Sequence, residues 1–168
     1  MGASTARGNR IYRYSDNDSV VVKASGALAT AADPLAAEAL AAAQTDALLI
    51  RGVTKIDYVI DVTANTSGAT FLYVKFRFSD KETPDVTVPA DWGYVMTDNI
   101  DAATGISSVQ EYMVKIDLQN VNGTANLAFA NGRRYVTRIE QISGIYASAI
   151  VYADAGNVIG SITAVRHG

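Results

Sequence analysis

From Asp46 onward the sequence keeps a period of two, and this alternation limits the folds open to the chain more than any other feature. In "TKIDYVIDVT" Ile56, Tyr58, Ile60 and Val62 fall on one side of an extended chain, while Lys55, Asp57 and Asp61 fall on the other. "ATFLYVKFRF" repeats the device, with Leu72, Val74, Phe76 and Phe78 opposed to Tyr73, Lys75 and Arg77. "SVQEYMVKIDLQ" places Tyr112, Val114, Ile116 and Leu118 together. Successive side chains of a strand point to opposite faces, so each stretch predicts a strand with a core side and a solvent side.

Turn chemistry predicts how these strands connect. "ANTSG", with Gly68 free to take a positive φ, is of hairpin length between the first two strands. Asn122-Gly123, Asn131-Gly132 and the "DAGN" of Asp154 to Asn157 are further turn signals between apolar runs, so strands are expected to pair with their sequence neighbours. The irregular stretch between Ser79 and Ser108, with Pro84, Pro89 and the lone Trp92, reads as the crossing segment of a Greek key. About eight short antiparallel strands give an all-β fold, a two-sheet antiparallel β-sandwich of jelly-roll type, ranked above an immunoglobulin-like sandwich and a closed barrel.

The first 45 residues differ. They are rich in Ala, Ser and Arg, with the extended pieces "RIYRY" and "SVVVK" followed by the Ala-rich "TAADPLAAEALAAAQ". Thr30 or Asp33 is placed to cap a helix there, Pro34 suits its first turn, and Leu35 and Leu40 give it a thin apolar stripe. We therefore divide the chain into an N-terminal arm with a short Ala-rich helix (1–45) and a β-sandwich domain (46–168). The helical piece reads as a lid on its own domain, with docking on a neighbouring subunit as the sharper alternative.

The composition narrows function mainly by exclusion. A chain of 168 residues that is 49% hydrophobic and 18% charged builds a core without staples. The net charge of −3 provides no global field for nucleic acid. Cysteine is absent and the single histidine, His167, is penultimate, so thiol and His-based nucleophiles and Cys/His metal sites have no residues to use. His167 reads as a solvated tail residue. No apolar run has the ~18 residues of a membrane span, and the expectation is a soluble chain made in the cytoplasm. Asp16, Asp18, Asp154 and Asn157 read as turn residues, because no calcium-loop pattern is completed around them. An acid pair of glycosidase type among Glu82, Asp85, Asp91, Asp98, Glu111 and Glu140 would be recognisable only by its separation in space. No catalytic residue, cofactor or metal ligand is assigned, and the chain is read as non-enzymatic.

Two aromatic groupings remain. Tyr73, Tyr135, Tyr146, Tyr152 and Trp92 read as sheet filler or subunit interface, with a sugar-stacking face as the alternative. Arg7, Arg10, Tyr12, Arg13 and Tyr14 interleave charge with rings and form the candidate partner-binding site, suited to an acidic protein surface. An Ala-rich arm, a Cys-free β-sandwich and "GRRYVTRIEQISG" leading into "YASAIVYADAGNVIGSI" together resemble, in style over about three-quarters of the chain, the small jelly-roll cement or decoration proteins of tailed bacteriophages. That resemblance implies a virion structural protein on the capsid surface, made in the host cytoplasm, that binds the major capsid protein as a homo-oligomer, commonly a trimer, and bridges capsomers. It implies neither nucleic-acid nor membrane partners. The alternative is a carbohydrate-binding β-sandwich module or a phage fibre, receptor-binding domain.

Overall fold

A computed structural model describes residues 18–65, 69–100, 107–118, 132–140 and 142–168, with the backbone alone at 97–100 and 107–110. Among the described residues there are twelve strands: β1 (Asp18–Ala27), β2 (Ala29–Thr30), β3 (Leu48–Leu49), β4 (Lys55–Asn65), β5 (Phe71–Ser79), β6 (Gly93–Tyr94), β7 (Met96–Ile100), β8 (Ser107–Glu111), β9 (Met113–Asp117), β10 (Arg133–Ile139), β11 (Tyr146–Ala153) and β12 (Val158–His167). One sheet runs β1-β12-β4-β10. The other runs β2-β11-β5-β6, with β3 also on β11 and β9 also on β5.

The pairings nest. β1 lies antiparallel to β12, β3 to β11, β4 to β10 and β5 to β9, so outer strands pair with outer and inner with inner. This is one long antiparallel ribbon folded over upon itself. Further antiparallel contacts, β12 with β4 and β11 with β5, close the ribbon into two facing sheets, which is a jelly-roll sandwich. The contact of β2 with β11 is parallel.

Between the sheets lies the core that the alternation called for. Ile56, Ile60, Val62, Leu72 and Val74 are buried there, with Ala149 and Val151 of β11 and Ile162 and Ala164 of β12. Each large aliphatic side chain so buried contributes roughly 1.5–3 kcal/mol relative to exposure. Val114, Ile116, Tyr112 and Phe78 pack against the same core, as the spacing required.

The connections differ from the expected hairpins. β4 and β5 belong to different sheets, so they do not pair with each other as a hairpin. "DAGN" likewise joins β11 in one sheet to β12 in the other, with Gly156 at φ 71. A turn signal fixes the sharpness of a reversal, not whether the strands then hydrogen-bond, and here each strand finds better partners in the rolled ribbon. Gly132, at φ 70, precedes β10, but the residues before it lie outside the described set, as do Gly68 and Asn122-Gly123. The irregular segment after Ser79 does not cross the sandwich. It leaves β5, pairs Gly93 and Tyr94 with Phe78 and Arg77, passes through the two-stranded β7–β8 ribbon, and returns to β5 as β9.

The N-terminal region is built into the sandwich from Asp18. β1 is an edge strand of the four-stranded sheet, and "SVVVK" lies within it. The helix α1 (Pro34–Glu38) starts where expected: Asp33 Oδ1 accepts the Ala36 amide at 2.8 Å and Pro34 occupies the first turn. It is only five residues long and passes into a 3-10 turn at Ala41–Ala43. Leu35 and Leu40 do not form its packing stripe, being 76% and 38% exposed. Ala37 and Ala43 do, both fully buried against Ile150 and Tyr152 of β11. Methyl side chains let the backbone come close to the sheet, so α1 is a lid on its own domain.

Candidate functional site: a covered face, an open face and a groove

The lid turns one outer face of the sandwich into a second core. Tyr73 of β5 and Tyr152 of β11 stack there with ring centroids 5.0 Å apart. Burial pushes the Tyr152 phenol up to about 12. Lys75, on the supposedly wet side of β5, is 3% exposed and pairs with both Glu38, the last residue of α1, and Glu111 at the end of β8. Its ammonium also lies 4.0 Å from the centroid of the Tyr94 ring. Burial pulls the Lys75 pKa down, but hydrogen bonds to Glu111 and Glu38 outweigh it and leave the group above its ordinary value.

Arg77, two residues on, is 1% exposed and stacks over Trp92 at 4.6 Å. It donates to the Val86 carbonyl at 2.8 Å and to Ser148 Oγ at 3.2 Å. The Trp92 indole in turn donates to the Asp85 carbonyl at 2.8 Å. These charges tie the lid and the segment 80–96 to the sheet. The alternation read Lys75 and Arg77 as solvent-facing. The overlooked signal was the run of alanines, small enough to seat α1 and the following turn directly on Ile150 and Tyr152 of β11, which brings Glu38 to Lys75.

Among the described residues nothing covers the outer face of the four-stranded sheet. Register places Val136, Val59, Thr163 and Val21 in one row across β10, β4, β12 and β1. Val136 and Val21 are 61% and 60% exposed. Beside this row Arg134 pairs with Asp61 and Arg138 with Asp57, each through two hydrogen bonds. His167 is not a solvated tail: it is the last residue of β12, and its Nε2 lies 3.0 Å from Asp57 Oδ2. The strand pairing of His167 with Lys55 holds the terminus on the sheet. The Arg138 guanidinium, aided by His167, holds the Asp57 carboxyl below its ordinary range.

Of the other carboxylates, Asp154 sits in the bend after β11 as read, whereas Asp18 is not a turn residue but opens strand β1, and Glu111 ends β8. Asp154 Oδ1 accepts the amides of Thr70 and Phe71 at 2.9 and 3.0 Å, tying the bend after β11 to the start of β5. Asp18 pairs with Arg166 at 2.6 Å. Asp91 accepts the Asp85 amide and pairs with Lys81, and those two contacts lower its pKa in that order. Asp85 is lowered by the hydroxyl and amide of Thr87. Glu111 is taken up by Lys75, Glu82 and Glu140 are exposed, and the Asp98 side chain lies outside the description. Among the described residues no three carboxylates or histidines gather as a metal site would require.

The aromatic set is divided by the fold. Trp92 and Tyr152 are 6% and 2% exposed, Tyr135 packs toward the main core, and Tyr146 is half-buried. Arg7, Arg10, Tyr12, Arg13 and Tyr14 lie outside the described residues.

An open groove of about 810 Å³ runs beside β6. Phe78, Trp92, Tyr94 and Met96 provide its apolar lining, and Asp80 and Asp91 stand on it. Met96 is 46% exposed. Neither protein-family models nor curated proteins match the sequence.

Proposed function

We propose that the chain is a non-enzymatic virion structural protein: a decoration or cement protein that binds the outside of a bacteriophage capsid, contacts the major capsid protein and bridges capsomers as a homo-oligomer, in the manner of a trimer. The observation that carries this reading is the open four-stranded face, where a row of β-branched side chains is flanked by paired charges of both signs. Such a surface suits contact with other protein, since interface cores are apolar and their rims polar. Several weak contacts made by a linked oligomer hold a lattice that one contact would leave, because each engaged subunit raises the effective concentration of the next. The basic, tyrosine-bearing segment Arg7–Tyr14 adds a further contact. The burial of Trp92 and Tyr152 speaks against a sugar-stacking face built from those rings.

The test is co-sedimentation of the purified chain with expanded and unexpanded phage shells. Saturable binding to expanded shells, with a rise in the temperature at which they rupture, is expected. The reading fails if the chain stays in the supernatant across shells while a glycan array retains it.

A further inference from the structure

Lys75 stands between two parts of the molecule that are weak on their own. α1 has five residues, fewer than an isolated helix needs in water. Among the described residues β7 and β8 pair with each other and with no third strand, and a lone two-stranded ribbon is marginal in water. Across the sheet Lys75 is flanked by Ile150 of β11, on which the lid sits, and by Met113, the first residue of β9 after the ribbon. Its ammonium is shared by Glu38, which ends α1, and Glu111, which ends β8. At the same root of the ribbon the Tyr112 amide donates to the Val95 carbonyl at 2.7 Å, and the Val95 amide to the Phe76 carbonyl at 3.2 Å.

We infer that Lys75 is a shared latch, which makes the lid and the β7–β8 ribbon loosen together although they lie far apart in the sequence. Two carboxylates competing for one cation in water would act the other way, each holding tighter once its rival left. Burial reverses that sign. Lys75 is 3% exposed, and around its ammonium stand Glu38, Glu111 and the ring of Tyr94, whose centroid is 4.0 Å away. Displacing either carboxylate with its element admits water, and the attraction between the remaining charges falls about four-fold as the effective dielectric constant rises from about 20 to about 80. The uncovered cation then holds its second partner less firmly. Such coupling is reciprocal, so the lid acts on the ribbon as strongly as the ribbon acts on the lid.

The latch needs neither an oligomer nor a shell, so it stands or falls apart from the assembly reading. Its test is residue-resolved hydrogen exchange of the dilute full-length chain. Glu38→Gln is expected to speed exchange of the Val95 and Tyr112 amides at the ribbon root about ten-fold, and Glu111→Gln to speed the Leu40 and Ala43 amides of the lid by a similar factor. Strands β4 and β12 should keep their rates in both variants, and Arg134→Ala, which breaks an exposed pair on the other sheet, should move neither the lid nor the ribbon root. In a Lys75→Met background the cross effect should vanish, with Glu38→Gln leaving Val95 and Tyr112 unchanged. The inference is overturned if each Gln variant speeds only its own element, if it slows the other, or if the cross effect persists without Lys75. Equal acceleration of β4 and β12 overturns it too, since the loosening would then be global. The two Gln variants decide the matter even if Lys75→Met does not fold.

Discussion

The two outer faces of this sandwich are written in the same alternation and end in opposite states. On β5, Tyr73, Lys75 and Arg77 lie beneath a lid. On β4 the corresponding positions, Asp57, Val59 and Asp61, line an open face where their ion pairs run along the sheet. The difference is not in the strands. It comes from Ala37 and Ala43, which bring a short helix and a 3-10 turn into contact with β11, and from Trp92, which roofs Arg77. Losing a contact costs more where water cannot replace it, and Lys75 and Arg77 are 3% and 1% exposed against a half-buried Asp61, while Asp57, although on the open face, is itself buried at 8%. Substitutions beneath the cover are therefore expected to cost more than those at Asp61 and Val136.

The largest effect is expected at Arg77. Arg77→Ala removes the ring contact with Trp92 and leaves the Val86 carbonyl without its donor, and a cost of about 3 kcal/mol is expected from denaturant unfolding. A loss below about 1 kcal/mol would mean that the cover is loose. Next comes Ala37→Leu, which forces a larger side chain into a fully buried position and is expected to cost about 1–3 kcal/mol while separating the lid from β11. Unchanged stability would show that the helix sits farther from the sheet than described.

Asp57→Asn sharpens the comparison on the open side through pH. The folded-state pKa of Asp57 is lowered, so its contribution is full above its ordinary value of 3.8 and is lost as pH falls through the lower folded value. Titrating thermal stability from pH 6 to about pH 2 should show a steeper acid loss in the parent than in the Asn variant. Parallel curves would remove Arg138 and His167 as partners of consequence. The smallest effect is expected for Val136→Ser, within about 0.5 kcal/mol for the dilute chain, because that side chain is already 61% exposed. A larger loss that grows with protein concentration would instead reveal a contact made through the open face.

The core was legible because β-strand alternation marks every inward residue from Ile56 to Val62 and from Leu72 to Phe78. The class of fold followed from it. The connections were not legible: "ANTSG" and "DAGN" specify tight reversals, and a reversal looks the same in sequence whether it joins two strands of one sheet or arches to the other. The covered face was hidden for a related reason. Whether Lys75 meets water depends on Glu38 and Glu111, 37 and 36 residues away along the chain, and no local period carries that information. His167 shows the same limit, since its place on the sheet is set by Lys55 and Asp57 at the other end of the sandwich's chain path.

The claim on which the account rests is that the lidded face is closed interior while the four-stranded face is not. Hydrogen exchange of the full-length chain, measured dilute and then self-associated or shell-bound, tests this most directly. The account predicts slow, unchanged exchange along β11 from Ala147 to Ala153 in every state, with new protection confined to the strands of the open face. Fast exchange along β11 in the dilute chain, or new protection appearing over α1 on association, would contradict it.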